Sequence, residues 1–84
     1  MKERSMHSIE VLGPGCRNCQ SVEKVVRDVV SSAGIEAEIT HVTDYAEIAR
    51  RGVLSTPGLI IDGQVVVAGR VPTRAQVEGW LGVG

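Results

Sequence analysis

The sequence predicts an α/β protein, a four-stranded mixed sheet flanked by three helices in the order β-α-β-α-β-β-α. Three observations carry this. Two segments near the N-terminus, Met6 to Leu12 and Ile35 to Val42, alternate as half-buried strands do. A helical pattern separates them, and such a β-α-β start calls for a parallel pair joined by a right-handed crossover. Farther on, Asp62-Gly63 between two apolar runs is a two-residue hairpin signal, so the sheet also has antiparallel strands.

Residues 1–5 read as a short disordered lead-in, leaving 6–84 as one domain. In the first strand Ile9 and Val11 take one face, Glu10 and Leu12 the other, and Gly13-Pro14-Gly15 stops it. The helix expected over Gln20 to Ala33 sets Val22, Val25, Val26, Val29, Val30 and Ala33 at i, i+3, i+4, i+7 spacing. Glu23, Lys24, Arg27 and Asp28 take its outer face. Valine is a poor helix former, so this helix depends on packing. Gly34 is placed to cap its C-terminus.

The second strand sets Ile35, Ala37, Ile39 and His41 against Glu36, Glu38, Thr40 and Val42. Asp44 with Glu47 is a capping-box signal for a short helix, Tyr45 to Arg51, closed by Gly52. Gly58 to Ile61 and Val65 to Ala68 form the hairpin. Thr73 with Gln76 is a second capping box, opening a last helix whose inner face is Val77, Trp80 and Leu81. Tyr45 and Trp80 are expected to pack beneath their helices, and Gly82-Val83-Gly84 to fray.

At 84 residues the chain holds one core and no more. Valine dominates the 43% hydrophobic content, with no Phe, one Trp and one Tyr, a make-up that suits strands. The net charge of −1 gives no case for nucleic acid or an anionic membrane as partner. So few aromatics leave no stacking surface for single strands. No segment approaches the roughly 18 apolar residues needed to span a membrane. The charged Met1-Lys2-Glu3-Arg4-Ser5 has no apolar run behind it, as a signal peptide would. A cytoplasmic monomer is expected.

The chemistry lies in Gly13-Pro14-Gly15-Cys16-Arg17-Asn18-Cys19, which holds both cysteines of the chain. A bridge closing so short a loop would restrict the unfolded chain by only about 2 kcal/mol, so reactivity explains the pair better than stapling. A helix start stabilises a thiolate through its unpaired N–H groups and its dipole, which should lower the pKa of Cys16. Arg17 would add to this. Cys19, about one turn on, would sit nearer the buried side. The pattern suits an exposed nucleophile, Cys16, and a protected resolving thiol, Cys19.

With this element order, Cys16-Arg17-Asn18-Cys19 is joined by Ser55-Thr56-Pro57-Gly58, Asp62-Gly63 and Gly69-Arg70-Val71-Pro72. On these residues the chain resembles the thioredoxin superfamily, from Met6 to Leu81. It is most similar to the small, glutaredoxin-sized thioredoxin-like proteins called redox-active disulfide protein 2. The resemblance implies a thioredoxin-like fold, a thiol–disulfide oxidoreductase, and a cis Thr56–Pro57 peptide facing the cysteine pair. It implies that Thr56 and Pro57, with Gly15 and Arg17 beside the pair, bind substrate. The Thr56 backbone would receive a substrate peptide as an added strand, or glutathione. Implied partners are a disulfide-containing protein or small thiol, and an upstream reductase or glutathione; no cofactor is implied beyond the Cys16–Cys19 disulfide. Glu10 falls six residues before Cys16, where thioredoxins carry a buried acid, and is the candidate proton acceptor. In place of the Trp and Gly-Pro of thioredoxins proper, this chain has Gly15 and Arg17-Asn18.

The alternative is a soft-metal or metalloid module using the same two thiolates. Copper carriers also place Cys-x-x-Cys after a first strand, but with Met two residues before it, where this chain has Pro14, and they end α-β rather than β-β-α. No second cysteine pair or Cys/His cluster completes a four-ligand zinc site within the chain. His41, far along the chain from the cysteines, reads as a packed or half-exposed histidine rather than a general base. Arg70 reads equally as a groove flank or a surface charge.

Overall fold

The computed structural model describes residues 7–15 and 17–82. Cys16, the lead-in with Met6, and the last two residues lie outside the described residues. The elements follow the expected order: β1 (His7–Leu12), α1 (Arg17–Ala33), β2 (Ala37–Val42), α2 (Tyr45–Arg50), β3 (Gly58–Ile61), β4 (Gln64–Ala68) and α3 (Arg74–Trp80). Together they form the thioredoxin-like α/β arrangement, a mixed four-stranded sheet in the order β2-β1-β3-β4.

β1 and β2 are the parallel pair, with Ile9 beside Ile39 and Leu12 beside Val42. β3 runs antiparallel to β1, with Leu12 opposite Gly58. β4 returns antiparallel to β3, with Gly58 opposite Ala68. One end of the sheet therefore gathers the C-terminal ends of β1, β2 and β4 and the start of β3. The hairpin turn at the other end has positive φ at both Asp62 (52°) and Gly63 (86°), the geometry that the Asp-Gly pair favours. Leu59 pairs with Val67 but Ile60 with Val65, which leaves Val66 as the extra residue of a bulge.

Alternation in β1 divides the core. Ile9 and Val11 join Val22, Val26 and Val29 of α1, Leu59, Ile61 and Val67 of the sheet, and Val77 and Leu81. On the opposite face Leu12 packs with Ile60, Ile48 of α2 and Val53. α1 and α3 thus cover one face and α2 the other. The valine stripe of α1 is buried at Val22, Val26 and Val29, half-buried at Val25 and Val30, and exposed at Ala33. Length explains the exposed end: a helix of 17 residues runs about 25 Å. The six residues of β1 span about 20 Å, so the last helical turn overhangs the sheet. The overhang ends at Gly34, whose φ of 67° lets the N–H of Ile35 reach back to the Val30 carbonyl at 3.3 Å.

Thr73 and Gln76 form the full reciprocal capping box at α3. The Asp44 cap differs. Its carboxylate accepts from the Ala46 N–H at 2.9 Å, while Glu47 turns to Arg50 at 2.6 Å and Arg51 at 3.7 Å. Tyr45, expected to pack, is 65% exposed. It is the first residue of α2, and a helical side chain leans toward the N-terminus, here off the end of the element. Trp80 packs against the larger core cluster.

Candidate active site

The site forms where the strand ends converge. After Leu12 the chain turns through Gly13, whose N–H donates to the Val42 carbonyl at 2.8 Å, so the turn is tied to the end of β2. Gly13 is buried, Pro14 exposed and Gly15 half-buried. α1 begins at Arg17, exposed as is Asn18, and Cys19, still within the first turn, faces inward. Cys19 is fully buried. The expected contrast with an exposed Cys16 rests on a residue outside the described ones. The Gly15 carbonyl accepts from the Gln20 side chain at 3.3 Å, which ties the turn to the first helical turn.

Thr56 arrives from the other side of the sheet end. Val53 is buried against Leu12, Ile48 and Ile60, which anchors the start of this loop. The Thr56–Pro57 peptide is cis, Pro57 is buried, and the Pro57 carbonyl accepts from the Gly69 N–H at 2.8 Å. Thr56 is half-buried. A β-carbon placed on Gly13 would overlap the Cys19 sulfur and lie 3.7 Å from the Thr56 β-carbon. Gly13 is therefore the point where the cysteine helix and the Thr56–Pro57 loop meet, and its missing side chain is what lets them approach. Sequence reasoning took Gly13 only as a strand stop. Cys19 is six residues on but Thr56 is more than forty, and no local spacing rule shows that the three meet.

The remaining candidates lie around this centre. Glu10 is ion-paired with the guanidinium of Arg51, the residue that caps the C-terminal end of α2. It sits on the α2 face of β1, beside Ile60 of β3 and Thr40 of β2, with its side chain 21% exposed. Arg51 also approaches Glu47, so the pair belongs to a small surface network. His41 lies on the edge strand β2, beside Val11 of β1, with Nδ1 3.7 Å from Glu23 of α1. Arg70 follows Gly69, and its guanidinium donates to the Gln76 side chain at 3.2 Å. Gly69 packs against Ser55, so Arg70 borders the Thr56–Pro57 loop. Among the described residues no cluster of three or more His, Cys, Asp or Glu side chains could hold a metal ion. No described helix is long and apolar enough to cross a membrane.

A parallel β-α-β unit closed by an antiparallel hairpin, with a buried cysteine at the first helix and a cis-proline loop against it, defines a thioredoxin-type protein. The Thioredoxin domain family matches residues 7–82, and the chain belongs to that family, whose members are thiol–disulfide oxidoreductases. It is 36% identical to a thioredoxin of Methanothermobacter thermautotrophicus over 73 residues, 87% of this chain and 95% of that protein. It is 37% identical to a thioredoxin of Methanocaldococcus jannaschii over 75 residues, 89% of this chain and 86% of that one.

Proposed function

We propose that this chain reduces protein disulfides through Cys16 and Cys19. The Cys16 thiolate, favoured by the start of α1 and by Arg17, attacks one sulfur of a substrate disulfide. The substrate S–S bond breaks, its second sulfur leaves as a thiolate, and Cys16 is joined to substrate in a mixed disulfide. Cys19 then attacks the Cys16 sulfur. This releases the remaining substrate sulfur as a thiol, with the Cys19 proton passing to it, and leaves a Cys16–Cys19 disulfide. Two electrons have moved to the substrate, and an external dithiol or thiol must return them. Glu10 is engaged by Arg51, so the departing sulfur is the simpler destination for the Cys19 proton. Such an exchange suits a reducing compartment such as the cytoplasm.

One observation carries this reading: Cys19 is buried at the first turn of α1 within reach of Gly13 and the Thr56–Pro57 loop. A thiol so placed is shielded from outside reagents but can reach a sulfur one helical turn back. The Thr56 backbone receives the extended substrate as a short added strand, with Gly15 and Arg17 beside it. The test is insulin reduction by the dithiol form. Wild type should reduce insulin, Cys16→Ser should not, and Cys19→Ser should accumulate a mixed disulfide. Equal activity of Cys16→Ser and wild type overturns the reading.

A further inference from the structure

The sheet ends in two edge strands, and they differ. At β4 the extra residue Val66 makes a bulge, which blunts an edge against further pairing. β2 lies at the other end of the strand order and pairs with β1 in unbroken register from Ala37 to Val42. The His7 N–H donates to the Glu36 carbonyl at 3.1 Å and the Gly13 N–H to the Val42 carbonyl at 2.8 Å. Along a parallel strand, residues bonded to one neighbour alternate with residues whose backbone faces the other side. The even-numbered residues of β2 therefore face β1, and the N–H and C=O of Ala37, Ile39 and His41 point out of the sheet. Ile35, Ala37 and Ile39 pack against the larger core cluster yet are only half-buried, and among the described residues no strand covers that side.

We infer that this edge pairs with the same edge of a second copy of the chain, giving a symmetric dimer with one continuous sheet. The outward backbone groups are spaced evenly about Ile39. An antiparallel pairing on a two-fold axis through Ile39 sets Ile39 opposite Ile39 and Ala37 opposite His41, and each such pair exchanges both of its hydrogen bonds. The half-buried isoleucines then cover each other. The same register sets Glu38 opposite Thr40 of the second copy, whose hydroxyl donates to the carboxylate. Moving the axis back onto Glu38 would oppose two carboxylates, so charge selects the register. The helical face leaves room: the two β1 strands stand three strand spacings, about 14 Å, apart, where packed helices need about 8–10 Å. Val42 holds Gly13 at one end of β2, so antiparallel pairing sends the two Cys19 sites to opposite ends of the shared sheet.

Sedimentation of the full chain, kept reduced so that no intermolecular disulfide forms, tests this. One strand edge is a small contact, so the chain should pass from monomer to dimer as it is raised from about 10 μM to about 1 mM. Thr40 is exposed, and replacing it leaves the core intact. Thr40→Lys should tighten the dimer about ten-fold by facing Glu38, and Thr40→Glu should weaken it as much, because the symmetry counts each change twice. Ala37→Pro removes a donor that β1 does not use, and should give a monomer with an unchanged circular dichroism spectrum. If that variant fails to fold, the Thr40 pair decides alone. A wild-type chain that stays monomeric at the highest concentration overturns the inference. So does a dimer that withstands Ala37→Pro, responds alike to both Thr40 replacements, or is lost on Val65→Lys at the β4 edge.

Discussion

Gly13 lies so close to Cys19 that a β-carbon on the glycine would overlap the cysteine sulfur. The contact joins the end of β1 to the first turn of α1, and Thr56 closes it from the loop before β3. Strand, helix and loop share one contact point, and the buried thiol is at its centre.

Gly13→Ala should therefore damage both the fold and the site. An added methyl would overlap the buried Cys19 sulfur, with the Cys19 β-carbon at 3.4 Å and the Thr56 β-carbon at 3.7 Å, so the helix or the loop must shift. Overpacking of this kind costs about 1–3 kcal/mol. Urea denaturation should show that loss. Disulfide exchange should fall more than stability accounts for, because Cys19 must shift away from its place beneath the turn. Gly15→Ala is the comparison that adds backbone strain without a clash, since φ is 95° and nothing lies within 4 Å of an added β-carbon there.

Depth of burial should grade the apolar stripe of α1. Val26 is fully buried in the larger core cluster, so Val26→Ala leaves a cavity and should cost about 2 kcal/mol. Val25→Ala, at a half-buried site, should cost less than half of that, and Ala33→Ser close to nothing. All three belong to the apolar period, but Val25 and Val26 point about 100° apart around the helix, and only Val26 is fully buried. Equal losses at Val25 and Val26 in thermal unfolding would contradict the placement of the helix over β1.

That gradient marks what the sequence could and could not disclose. Alternation in Met6 to Leu12, the valine period, the Thr73 capping box and the Asp62-Gly63 turn are local signals, and each element they indicate is present. Facts set by long-range meetings had no such signal. Val53 and Leu54 are adjacent and both apolar, yet one is 2% exposed and the other 89%, because only Val53 faces Ile48 and Leu12. Glu10 finds its partner in Arg51, far along the chain, through the crossover of α2. The extra residue Val66 in β4 likewise depends on how two strands are paired. At the site, the Cys19 and Thr56–Pro57 motifs were legible as motifs, whereas the glycine between them was not.

The Glu10–Arg51 pair should contribute modestly to stability. Arg51 is about a third exposed and shares its charge between Glu10 and Glu47. Arg51→Ala should cost up to about 1 kcal/mol in low salt, with the difference shrinking as ionic strength rises. Arg50, more exposed and bonded only to Glu47 among the described acids, should matter less when replaced by alanine. Urea midpoints at low and high salt measure both. An undiminished Arg51 effect at high salt would mean that its packing, not its charge, supports α2.

Asp62 gives the fold a defined acid response at the end of the sheet remote from the cysteines. Its carboxylate accepts from the Ser8 backbone N–H at 2.9 Å and from the His7 ring at 2.8 Å, while its own N–H donates to the Ser8 carbonyl. The Ser8 bond first, and the His7 bond second, hold its pKa below the usual aspartate value. A lowered folded-state pKa means that the unfolded chain takes up the proton more readily. The stabilisation is therefore complete above the unfolded value of about 3.9, declines as pH falls through the folded value, and is absent below it. Asp62→Asn removes the charge and should lower stability at pH 6 by no more than about 1 kcal/mol, as befits an exposed hydrogen bond. The gap between the two proteins should narrow as pH falls below the unfolded value and through the lowered folded one. His7→Ala should show a smaller deficit with the same narrowing, since it removes the lesser of the two contacts. Chemical denaturation over a descending pH series measures all three, and a gap that does not narrow on acidification would mean that Asp62 acts through its turn geometry rather than its charge.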